Sequence, residues 1–182
     1  MISIPVLIIL TIYVIATYNG LVRLRNGAKK SFATIDVMLK KRHDLVPNLI
    51  ASVKQLMKHE TSLFQSITEL RTAAINSSGI QRADTEAQLG AALGQLTVSM
   101  ENYPELKSDR SVMQLQASLN EVEEQIGASR TAYNAAVTRF NTKLESFPSS
   151  LIGKMFGFVA KDLFETSAAE RGNVNVGELF NS

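Results

Sequence analysis

His43 and His59 are the only imidazoles in this 182-residue chain, and it contains no cysteine. Imidazoles and thiolates supply many of the general bases, nucleophiles and transition-metal ligands that proteins use. Without cysteine there is no disulfide framework, no thiol nucleophile and no Cys-ligated zinc. Neither histidine has a glutamate three residues before it, since Lys40 and Leu56 stand there, so the Glu-x-x-His pair of di-iron bundles is absent. His59-Glu60 does not open an H-E-x-x-H zinc motif, because residue 63 is leucine. A histidine beside a charge on a helix, with no second ligand at metal spacing, reads as a surface residue, and this is expected of both. No G-x-S-x-G elbow, Walker-type loop or G-x-G-x-x-G turn occurs. No catalytic, cofactor-binding or metal-ligating residue is therefore assigned, no cofactor is expected, and the enzyme class is set aside.

Other polar residues have regular spacing. Asn134 and Asn141 lie seven apart, on one helix face beside Tyr133, Val137 and Phe140. Asp36, Lys40 and Asp44 form an i,i+4 ladder, worth a few tenths of a kcal/mol per step (about 0.2–0.5). One reading makes these five residues a polar seam that sets helix register or docks a partner. The other makes them a solvated edge with incidental pairs.

Charge is placed unevenly. The chain carries 19 basic and 17 acidic residues, a surplus too small for a nucleic-acid footprint. No charge precedes Arg23; from Arg23 to Glu60 the balance is +6, and over the remainder it is −4. Ile2 to Val22 is an uncharged, Ile/Val/Leu-rich run of 21 residues. About 20 helical residues cross a hydrocarbon core of about 30 Å, so this run is expected to be a transmembrane anchor. A cleaved signal fits poorly, since no Lys or Arg precedes the run and no A-x-A-like site follows it. Seven basic residues from Arg23 to Arg42 follow the span and none precedes it. By the positive-inside asymmetry the N-terminus should lie outside and residues 23–182 in the cytoplasm. Tyr18 stands where an interfacial aromatic belongs. Arg23, Arg25, Lys29 and Lys30 are placed to meet anionic headgroups, at about 1 kcal/mol each, or simply to set topology on a solvated face. The Asn76-Ser77-Ser78 sequon matters only in a secretory pathway, which this topology excludes.

Beyond the span the apolar spacing is helical throughout. One stripe is Leu21, Leu24, Ala28, Phe32, Ile35 and Leu39; another runs from Val46 to Leu70; a third is Leu89, Leu93, Leu96, Met100 and Tyr103; the longest runs from Val112 through Val122, Val137 and Phe140 to Phe147. Asp44 could cap a new helix with Pro47 in its first turn, or Pro47 could sit in one continuous helix. No proline lies between Pro5 and Pro47, so the span is expected to run into the first bundle helix as a rod of about 40 residues and about 60 Å. Asn76-Ser77-Ser78-Gly79 is a loop, with Asp84 or Thr85 starting the next helix. Asn102-Tyr103-Pro104 ends that one, Ser108 or Asp109 caps the longest, and Pro148 closes it. Gly90 and Gly94, one turn apart, would permit close helix contact. The expected fold is all-α: a transmembrane helix (1–22), an antiparallel up-down four-helix bundle (23–147), and an apolar C-terminal tail (148–182).

That tail concentrates apolar residues between glycines. Leu151, Ile152, Met155, Phe156, Phe158, Leu163 and Phe164 exceed what a disordered linker carries. They must cover the chain's own bundle, a second copy or the bilayer, and assembly with a second copy is the expectation.

Three stretches carry a family resemblance: Tyr18-Asn19-Gly20-Leu21-Val22-Arg23-Leu24-Arg25-Asn26; Asp36 through Lys40-Lys41-Arg42-His43-Asp44-Leu45-Val46-Pro47-Asn48-Leu49-Ile50; and Tyr103-Pro104-Glu105-Leu106-Lys107. With Ala132-Tyr133-Asn134, Phe140-Asn141, Phe147-Pro148 and Phe156-Gly157-Phe158, the chain resembles the bacterial LemA family from about residue 18 to 164. The resemblance implies a membrane-anchored helical bundle without an established enzymatic activity. Two functional classes follow: a non-enzymatic membrane scaffold that self-assembles as a homo-oligomer, or an adaptor for another membrane protein such as a protease or sensor. The expected partners are the bilayer, a second copy and such a membrane protein, and no nucleic acid.

Overall fold

The structure is a computed structural model, and it describes residues 3–164. The expectations that concern residues 165–182 lie outside the described residues. Six helices follow in order: α1 (Ser3–Val53), α2 (Thr61–Asn76), α3 (Gly79–Met100), α4 (Pro104–Ser108), α5 (Arg110–Glu145) and α6 (Ser149–Met155). Among the described residues there is no strand: the described part of the chain is all-helical, with a long apolar N-terminal helix.

α1 is one helix of 51 residues, longer than the rod expected from sequence, and Pro47 lies inside it. Gly20 and Gly27 do not interrupt it; a glycine costs about 1 kcal/mol relative to alanine, which packing of the neighbouring apolar positions offsets. The stripe from Val46 to Leu70, expected as one helix face, is divided. α1 stops at Val53, a turn carries residues 54–60, and α2 resumes at Thr61. The turn stays in the core because Met57 is fully buried, its amide donating to the Val53 carbonyl at 3.0 Å. Apolar spacing continues across the break, and this is why periodicity alone did not show it.

α3 begins at Gly79, earlier than the Asp84 or Thr85 start expected from capping residues, with extended Ser78 as its N-cap. Asp109 does cap α5: the amides of Ser111 and Val112 donate to its Oδ1 at 2.8 and 3.1 Å. Of the two small residues expected to allow close contact, Gly90 lies near a neighbour, its Cβ position 3.5 Å from Arg42 Nη1, whereas Gly94 has nothing within 4 Å.

The helices form two compact units. The first comprises residues 3–40 with Val122–Phe164. Its core takes Leu21, Ala28 and Ile35 from α1, at heptad spacing, with Val122, Ile126, Val137 and Phe140 from α5 and Ile152 from α6. After α5 the chain turns into α6, where Gly153 sits so close to Leu144 that a Cβ there would lie 2.3 Å from Leu144 Cδ1. Gly157 then takes φ +69°, a left-handed turn that favours glycine, and residues 158–164 run without helix. The second unit is Lys41–Glu121. Its core joins Val46, Leu49 and Val53 of α1, Phe64 and Ile67 of α2, Leu89, Leu93 and Leu96 of α3, Leu106 of α4 and Val112 of α5.

Candidate functional site

In the first unit the site is the end next to the apolar run. From Ile4 to Ile12 every residue of α1 is exposed, Ile9 and Ile12 by 67 % and 61 %. Burial begins at Thr17 and Leu21. There Tyr18 meets the Phe156 ring at 4.9 Å and the Phe158 ring at 5.7 Å between centroids. Phe158 also reaches Phe140 at 6.3 Å, and the Arg25 guanidinium lies over its ring at 5.2 Å. Arg23, Arg25, Lys29 and Lys30, expected at the membrane surface, are all exposed on α1.

The residues expected to form a polar seam do two different things. Asn134 and Asn141 each hold one residue of the 158–164 strap through both functions of the amide. Asn141 Nδ2 donates to the Lys161 carbonyl at 2.8 Å, and the Lys161 amide donates to Asn141 Oδ1 at 3.0 Å. Asn134 Nδ2 donates to the Phe164 carbonyl at 3.0 Å, and the Phe164 amide donates to Asn134 Oδ1 at 2.7 Å. The registers agree: seven helical residues advance about 10.5 Å, and three extended residues advance about 10 Å. Between them Tyr133 Oη donates to the Asp162 carbonyl at 3.1 Å. Burial and the nearby Asp162 carboxylate push the Tyr133 phenol above its usual range. Arg130 lies over the Phe164 ring at 4.7 Å. Asp36 is half-buried and Lys40 and Asp44 are exposed on α1, and all three have polar or electrostatic contacts.

The residues expected to serve assembly also divide. Ile152 is buried, and Phe158 and Phe164 are half-buried against the chain's own helices. Leu151, Met155, Phe156 and Leu163 remain 60, 66, 50 and 50 % exposed.

The second unit holds a group that the sequence reading did not single out. Arg42 and His43 of α1 and Glu86 of α3 are buried together, 2, 5 and 1 % exposed. Arg42 Nη2 donates to the Glu86 carboxylate and, at 3.1 Å, to the Glu86 backbone carbonyl. His43 Nε2 sits astride the carboxylate, 3.1 Å from Oε1 and 3.2 Å from Oε2, and Arg82 Nε approaches Oε1 at 3.8 Å. Burial pushes the Glu86 carboxyl up, but the His43 hydrogen bond and the Arg42 charge outweigh it, so its pKa lies below the ordinary 4.5. This corrects the expectation for His43, which is not a surface residue; His59 is exposed. Helical spacing carried the signal. His43 stands four after Leu39 and three before Val46, and Glu86 stands three before Leu89 and seven before Leu93, so both occupy core faces.

Pro47 explains a further contact. Lacking an N–H, it leaves the carbonyl four residues earlier, that of His43, without its helical donor. Arg71 Nε of α2 donates to that carbonyl at 2.7 Å.

Chemically these groups bind and brace. Among the described residues no cluster of three or more His, Asp or Glu could hold a metal ion. A cleft of about 200 Å³, lined in part by Met100, Leu106 and Gln116, is smaller than typical ligand pockets of about 300–1,000 Å³.

The chain is similar to known proteins over most of its length. The LemA family model matches residues 31–177. A Protein LemA from Metamycoplasma hominis is 25 % identical over 165 residues, covering 90 % of this chain and 75 % of that one. Magnetosome protein MamQ 2 from Paramagnetospirillum magneticum is 24 % identical over 190 residues, covering 90 % of this chain and 70 % of its own length. A Magnetosome protein MamQ from Magnetospirillum gryphiswaldense is 20 % identical with the same coverage.

Proposed function

The chain belongs to the LemA family, and from that membership together with the course of α1 we propose that it is a non-enzymatic scaffold anchored once in the bacterial inner membrane. Its N-terminus lies outside and residues 23–182 in the cytoplasm, with copies standing side by side as a homo-oligomer. The observation that carries this reading is α1 itself. Its uncharged, lipid-like surface from Ile4 to Ile15 continues, without a break in the helix, into the buried positions Leu21, Ala28 and Ile35. Arg23, Arg25, Lys29 and Lys30, which follow the span directly and are exposed, support the orientation.

Copies would meet through the outward side of the strap, where Val159 and Leu163 are 76 and 50 % exposed. A small apolar contact gains from a membrane that already concentrates the partners. The mass of the detergent-extracted protein, purified alone, tests this. A homogeneous oligomer that V159D/L163D reduces to monomer is the expected result. A monomeric wild type would overturn the scaffold reading in favour of an adaptor that docks another membrane protein.

A further inference from the structure

We propose that α6 and the corner before it are a foot that enters the headgroup and upper acyl region of the bilayer beside α1, a second membrane contact. The inference rests on the anchor reading above. Its basis is depth. Phe156 and Phe158 pack against Tyr18, tilted and edge-on, and Thr17 and Leu21 are buried. The folded body therefore reaches α1 on the membrane side of Arg23, the first charged residue. It overlaps the uncharged run over residues 17–22, about 9 Å of helix. Amphipathic elements at a bilayer surface sink about 5–10 Å, which is the same depth. α6 has seven residues and is about 10 Å long, so all of it lies within about 10 Å of Phe156.

The outward face suits that place. Ser149, Ile152 and Gly153 turn inward, while Phe147, Leu151 and Met155 are 81, 60 and 66 % exposed. Lys154 is exposed between them, on a stem long enough to carry its ammonium to the headgroups. Arg23 and Arg25 mark the same boundary on α1. Lipid is the occupant because Phe156, next in the chain to Met155, meets Tyr18 at the end of the exposed run of α1, which is itself lipid-facing in the anchor reading. In water an apolar cluster of this kind is a liability.

The chain is free of cysteine, so single-cysteine variants of the full protein can carry a fluorescent probe in vesicles of phosphatidylcholine and phosphatidylglycerol. Nitroxide lipids labelled near the top or near the end of the acyl chain report depth. Probes at L151C and M155C are expected to lose most of their emission to the shallow nitroxide. A probe at I12C should lose it to the deep one. V37C, an equally exposed apolar site about 21 Å along α1 from Arg23, should lose it to neither. If L151C and M155C behave like V37C while I12C is quenched, the foot is wrong and the anchor stands. If I12C is also unquenched, both readings fall. An unquenched probe at L151C, together with oxidative disulfide formation between copies of the unlabelled L151C variant, would assign the patch to a second chain and overturn the proposal.

Discussion

Glu86 is held ionised against its own burial by two cationic or donor groups that the fold supplies from α1. Removing the carboxylate with E86A breaks its buried ion pair with Arg42, and breaking such a pair costs about 3–5 kcal/mol. The pH dependence has a definite sign. Because the folded-state pKa is depressed, the stabilisation is fully present above the ordinary value of 4.5 and is lost as pH falls through the lower folded value. Thermal melts from neutral to acid pH should therefore decline below about 4.5, and E86Q, starting from lower stability, should lack that part of the decline. An unchanged acid limb in E86Q would refute the assignment. Asn134 and Asn141 make a second residue-level case. Each removes two hydrogen bonds when cut to alanine, at about 1 kcal/mol apiece. Amide exchange should quicken at Lys161 in N141A and at Phe164 in N134A, each more than at the other position; equal effects would mean that the strap does not rest on two separate clamps.

At the scale of elements, Pro47 shows how a local defect is repaired from a distance. The carbonyl that it orphans in α1 is satisfied by Arg71 of α2, so R71A should cost about 1–3 kcal/mol, the cost of an unsatisfied buried acceptor. In P47A the helix regains its own N–H donor to that carbonyl. R71A should then cost less in the P47A background than in the wild type, as measured by denaturant unfolding in a double-mutant cycle. Additive effects would show that Arg71 acts elsewhere. The strap follows similar logic: residues 158–164 have no helical ladder of their own, and side-chain amides of α5 take up their backbone groups instead.

For the molecule as a whole, the anchor and its flanking charges predict topology. A cysteine at Ser3 should react with an impermeant thiol reagent on intact cells, and one at Ser108 should not. Labelling at Ser108 alone would reverse the orientation. Neither variant competes with a native thiol.

Much of this was written into the sequence because it depends on neighbours along the chain. The uncharged run, the basic residues after it, the heptad of Leu21, Ala28 and Ile35 and the Asp109 cap are local patterns. The chain's own hydrophobic period and hydrogen-bonding chemistry determine them. The equal spacing of Asn134 and Asn141 was visible too, but not what they hold. Their partners lie 30 and 20 residues away in the chain, and Arg42 meets Glu86 across 44. Periodicity says which face of a helix is buried but not against what. It therefore could not stop α1 at Val53, where apolar spacing runs on through Met57. Nor could it tell that a histidine and a glutamate on core faces would be buried as a pair. Those outcomes were decided when helices met, because a buried charge is tolerated only where packing brings its complement within hydrogen-bond reach.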